Sequence, residues 1–133
     1  MIKHAVTYMD FNGRERTEDF YFHLSLPEVT RIEAEIKRPL DEHFKQLAAE
    51  ENVSEMMAFI EKIILGAYGK KTADGRSFQK SKELKEEFEN SQAYAELFEE
   101  LLLNPNLAKK FGEGIADTGK AKKNQVSPKV VTD

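Results

Sequence analysis

Apolar and polar residues alternate at the start of the chain, then shift to helical spacing. From His4 to Phe11 strand formers dominate, with Val6 and Tyr8 on one face and Ala5, Thr7 and Met9 on the other. Asn12-Gly13 follows, a pair suited to a type I′ turn because both residues tolerate positive φ. Thr17 to Leu24 returns, with Phe20, Phe22 and Leu24 on one face and Asp19, Tyr21 and His23 on the other. The pattern predicts a β-hairpin over 3–24. A lone hairpin is marginal in water, so it must pack on helices or pair with another edge.

Ser25-Leu26-Pro27-Glu28 has the spacing of a capping box, and Pro27 is tolerated in a first helical turn. Leu26, Val29, Ile32 and Ile36 then follow at helical spacing, and Pro39 ends or kinks that helix. A second helix from Leu40 to Glu50 presents Leu40, Phe44 and Leu47. Ser54 is the expected N-cap of a third, from Glu55 to Ala67, the most apolar of the set and the expected core helix. Met56 and Met57 are read there as core filler. Gly66 and Gly69 close it, and Lys70 to Phe78 reads as a loop turning at Asp74-Gly75. Ser81 caps a helix bearing Leu84 and Phe88, and Asn90-Ser91 separates it from one bearing Tyr94, Leu97, Phe98, Leu101 and Leu102. Asn104-Pro105 opens a last helix that Gly112 and Gly114 are expected to end.

The pattern as a whole predicts an α+β fold. The N-terminal β-hairpin packs on a mainly α-helical domain of about five helices. One domain spans 1–115, with its helices over 26–113. The polar, Lys-rich stretch 116–133 reads as a flexible C-terminal tail.

Composition narrows the function. A chain of 133 residues suits one domain with a modest core. Cysteine is absent, which excludes disulfide frameworks, thiolate nucleophiles and Cys-based zinc sites. A net charge of −4 argues against a dedicated nucleic-acid binder. The opening residues lack the apolar run of a signal peptide, and no apolar stretch is long enough to span a bilayer. A soluble cytoplasmic protein is expected.

The chain offers no catalytic constellation. Gly66 to Thr72 approaches a phosphate-binding loop but has two residues between its glycines where the motif needs four. His4 and His23 are expected to face each other across the hairpin as a surface pair, with no third ligand to make a metal site. No glutamate is set in an apolar surrounding as an acid/base pair requires. No cofactor is implied.

Charge is segregated along the second half. Lys70, Lys71, Arg76, Lys80, Lys82 and Lys85 face only Asp74 and Glu83, whereas Glu86 to Glu100 holds six glutamates and no base. Such segregation suits local pairing and solubility, or electrostatic matching to a partner or a second copy. Lys70, Lys71 and Arg76 form the candidate basic loop. Phe78 is the one aromatic among these charges, which argues against a nucleic-acid role.

One stretch carries a resemblance. A helix ending Leu65-Gly66-Ala67-Tyr68-Gly69 runs into Lys70-Lys71-Thr72-Ala73-Asp74-Gly75-Arg76-Ser77-Phe78, then Phe88, then Ser91 to Leu101, then Phe111 and Gly114-Ile115. This resembles the tail assembly chaperones of long-tailed bacteriophages over roughly 65–115, and the hairpin is compatible with it. The resemblance implies a non-enzymatic protein that binds the tape measure protein and keeps it soluble while the tail tube polymerises. It implies the major tail protein as a further partner, the cytoplasm of the infected bacterial host as the location, and absence from the mature virion. It also implies a longer frameshifted product, for which Lys122-Lys123-Asn124 marks a candidate slippery run.

For such a role the candidate partner-binding residues are Tyr94, Leu97, Phe98, Leu101 and Leu102, with Tyr94 and Leu102 the foremost candidates for exposure. The hairpin edge is the candidate element for a homo-oligomer. Two other readings stand beside this one: a structural tail-completion or head–tail connector component, and a small regulatory nucleic-acid binder using Lys70 to Lys85.

Overall fold

The first 22 residues form two antiparallel strands, β1 (Ile2–Met9) and β2 (Glu15–Phe22), in register from Ile2↔Phe22 to Met9↔Glu15. The computed structural model describes residues 1–116. After the hairpin come α1 (Leu26–Ile36), α2 (Leu40–Glu50), α3 (Val53–Ala67), β3 (Tyr68–Lys71), β4 (Phe78–Gln79), α4 (Lys82–Glu89), α5 (Gln92–Leu103) and α6 (Pro105–Ile115). The fold is thus α+β, an N-terminal hairpin on a mainly helical body, with six helices among the described residues. The tail expected over 116–133 lies outside them except for Ala116, which bridges in parallel to Leu24.

The first turn differs from expectation. Gly13 has φ 79° but Asn12 does not share the left-handed region, so the turn is not type I′. Instead the Asp10 carboxylate accepts the N–H groups of Asn12 and Arg14 at 2.9 Å each and the Arg16 Nε at 2.6 Å. An Asp at the first turn position thereby supplies the acceptors that the backbone lacks, and only one residue needs positive φ. The paired histidines also fail to appear. His4 sits opposite Phe20 and meets Glu100 at 3.2 Å, while His23 packs edge-on to Phe78.

The expected loop over 70–78 is a second hairpin. Tyr68 and Gly69 pair with Phe22 and Tyr21, extending the sheet to four strands in the order β1-β2-β3-β4. The β3–β4 turn repeats the first device. Thr72 and Arg76 donate to the Asp74 carboxylate, and Gly75 takes φ 74°.

Helix starts follow local side-chain chemistry. Ser25 and Glu28 form the reciprocal capping box. Ser81 and Asn104 cap α4 and α6 as the sequence predicts, and Ser91 caps α5 at the expected break between the two helices. α3 starts two residues early, because the Asn52 side chain, rather than Ser54, accepts the Glu55 N–H at 3.2 Å.

The sheet meets the helices through aromatic rings. Phe22 is fully buried, with ring centroids 5.9 Å from Tyr68, 5.8 Å from Phe88 and 5.1 Å from Phe111. Tyr68 stacks on Phe88 at 4.3 Å. α3 supplies Met56, Phe59, Ile60, Ile63 and Ile64 to the same core.

Gly112 and Gly114 lie inside α6 rather than ending it. The reason at Gly112 is close packing, since a Cβ there would lie 2.7 Å from Phe44 Cε2. Phe44 is itself buried and held 4.8 Å from the Phe59 ring. Gly112→Ala should gain about 1 kcal/mol of helix propensity and lose more than that to overpacking, roughly 1–3 kcal/mol. Urea unfolding should therefore show a net destabilised variant.

Lys80 ties three elements together. Its ammonium donates to both Glu28 oxygens at 2.8 Å and to the Gly66 carbonyl at 2.8 Å, joining the start of α1 to the end of α3. Burial alone pushes the Glu28 carboxyl up, but Lys80 and the Ser25 N–H overcome it and hold it below its ordinary 4.5. A carboxyl depressed on folding stabilises above its unfolded pKa, and that stabilisation is lost as pH falls through the folded value. Lys80→Met should cost about 1 kcal/mol at neutral pH. The gap from the unaltered protein should close as melting is followed downward from pH 4.5, the carboxyl's ordinary value.

Candidate functional site

The α5 stripe divides into two sets. Leu97 and Leu101 are buried, at 0% and 2% exposure, and offer no surface to a partner. They point into the core because α5 packs between β1 and α3. Tyr94, Phe98 and Leu102 are half-buried and reach the surface along one line of the helix.

α3 lies antiparallel beside that line. Tyr94 faces Glu61 near one end, and Leu102 shares a pocket with Val53 and Met56 at the other. Met57 and Val53, one turn apart on α3, are 41% and 60% exposed. Met57 is therefore not core filler; Met56 alone is. Met56 shares its face with Phe59, Ile60, Ile63, Ile64 and Ala67, whereas Met57 shares a line with exposed Val53 and Glu61, a line that turns buried only at Leu65. Helix spacing sets Met57 midway between Val53, which meets Leu102, and Glu61, which meets Tyr94, so Val53 and Met57 with Tyr94, Phe98 and Leu102 outline an apolar seam between the two helices.

The seam is rimmed by acid. Burial, reinforced by the charges of Glu61 and Glu89, pushes the Tyr94 hydroxyl up to about 12. The hydroxyl is buried and makes no hydrogen bond of normal geometry among the described residues. Its ring packs edge-on to Phe88 and against Phe98. Across α5, Glu96, Glu99 and Glu100 line a groove of about 380 Å³ with Ala5, Val6 and Thr7 of β1, and Leu103, 75% exposed, sits at its edge.

The basic residues lie elsewhere. Lys70 and Lys71 are exposed on β3 and Arg76 is exposed in the following turn. The groove beside β3, about 690 Å³, holds Glu18, Asp19 and Glu87 together with Lys70 and Lys71. A phosphate backbone entering it would meet carboxylates as well as ammonium groups. That arrangement opposes the nucleic-acid reading.

No cluster of three or more His, Asp or Glu side chains suited to a metal occurs among the described residues. No helix among them is long and apolar enough to cross a membrane.

A family model described as phage tail assembly chaperone matches residues 1–127. The chain belongs to that family. No curated protein and no solved structure matches it. The family match covers both hairpins, all six described helices and the whole α3–α5 seam of this chaperone.

Proposed function

We propose that this chaperone binds the tape measure protein of a long-tailed phage and keeps it soluble while the tail tube assembles. The role is non-enzymatic and is exercised in the cytoplasm of the infected bacterial host. The major tail protein is the further partner met as the tube grows, and the chaperone does not remain in the mature virion. The observation that carries this reading is the α3–α5 seam, a line of half-exposed apolar side chains with glutamates along its rim. Such a surface suits an amphipathic client helix with an apolar stripe and basic flanks. Half-exposed contacts also favour release, since each contributes less than a fully desolvated anchor.

Self-association belongs to the same reading. β1 is an edge strand of the sheet, and the hairpin is its natural element.

Solubility of a tape measure fragment expressed alone and together with the chaperone tests the proposal. The fragment should move from the pellet to the supernatant and co-purify with the chaperone. A fragment that stays insoluble in its presence contradicts the reading.

A further inference from the structure

Phe11 stands at the tip of the β1–β2 hairpin and is 78% exposed. The tip is held rigidly, because the Asp10 carboxylate fastens the residues on either side of the turn. With the backbone of the turn fixed, the phenyl group has only two side-chain torsions to lose on docking, which makes it an effective anchor. Arg14, beside it, is exposed and makes no ion pair among the described residues.

The same chain carries a matching receptacle. Leu47, Ala48, Val53, Met56, Leu102 and Pro105 line a pocket of about 230 Å³ where α2, α3, α5 and α6 converge. An apolar cavity of about 150 Å³ is enough to admit a benzene ring. Glu51 stands at the rim, exposed and without an ion pair among the described residues, opposite in charge to Arg14. Phe11 cannot be filling the pocket of its own chain, given its exposure.

We propose that Phe11 of one copy seats in this pocket of a second copy, with Arg14 meeting Glu51. Each copy has one tip and one pocket, so the contact is head-to-tail rather than symmetric. The docked tip covers Leu102, one end of the seam assigned to the client. Self-association and client binding therefore exclude one another at that residue. This exclusion, unlike the docking itself, rests on the client reading.

Sedimentation velocity of the full chain over a concentration series tests both parts. Phe11→Ser removes the anchor and Ala48→Trp fills the pocket. Each should weaken self-association about 30-fold or more, the effect of losing an interface hot spot. Mixing the two variants should give a discrete dimer, because the first keeps its pocket and the second keeps its tip. Should Ala48→Trp fail to fold, Glu51→Arg replaces it, with recovery expected on mixing with Arg14→Glu.

An amphipathic helical peptide with a Leu/Phe stripe flanked by lysines serves as client probe and should dissociate the unaltered copies. A protein monomeric at every concentration, or association indifferent to Phe11→Ser, overturns the docking. Probe bound without dissociation overturns the exclusion. Association that follows Phe11 and Ala48, with no probe bound by any form, supports the docking and counts against the client reading alone.

Discussion

Phe22→Ala should lower the unfolding free energy by about 3–5 kcal/mol, the range for deleting a buried aromatic. The side chain is 0% exposed and sits where β2, β3, α4 and α6 converge. Its neighbours cannot close the gap cheaply. Tyr68 and Phe88 are already stacked on each other, and Phe111 comes from a helix whose glycine is pressed against Phe44. A loss of that size is a large share of the ~5–15 kcal/mol that holds a typical domain together. Urea unfolding should show a large fall in midpoint. A change under about 1 kcal/mol would mean that the aromatic cluster does not join sheet to helices.

Met57→Asp should weaken client binding by about 30-fold or more while leaving the fold intact. Met57 is 41% exposed, so the substitution removes little core packing and places a carboxylate in the middle of the apolar seam. Desolvating that charge under a client helix is costly, and the rim already carries Glu61 and Glu89 near Tyr94. Met9→Asp is the matched control, since Met9 is 52% exposed but lies on β1 away from the seam. Titration of a tape measure fragment should separate the two variants, with thermal melts showing both folded. Equal binding by both would remove the seam from the client site.

Features set by neighbours in sequence were legible before the fold was known. Ser25 with Glu28, Ser81, Ser91 and Asn104 each act on an N–H three residues on, so spacing alone places these helix starts. Asn52 took the cap expected of Ser54 because the two compete for nearly the same turn. Features that depend on a distant partner were not legible. Tyr68 to Lys71 becomes a strand because β2 offers a free edge, which no local pattern around Lys70 announces. Gly112 reads as a helix stop until Phe44, far away in sequence, is seen against it.

The candidate site divides the same way. The α5 stripe was visible as a period, but a period does not say which of its residues meet α3 and which meet the core. Leu97 and Leu101 turn inward, while Tyr94, Phe98 and Leu102 form one wall of the seam. The other wall is Met57, which the sequence presents as core filler, and Val53, which lies before the expected helix start at Glu55. Lys70, Lys71 and Arg76 stood out as charges, yet the structure sets the two lysines beside Glu18, Asp19 and Glu87 rather than in a uniformly basic patch.

Photo-crosslinking from a single introduced position tests most directly whether the seam receives the client. A photoreactive phenylalanine analogue is placed at Met57 in one protein and at Arg76 in another, each expressed with a tape measure fragment. A crosslinked chaperone–fragment product is expected from position 57 and none from position 76. A product from position 76 with none from position 57 would contradict the seam as the client site.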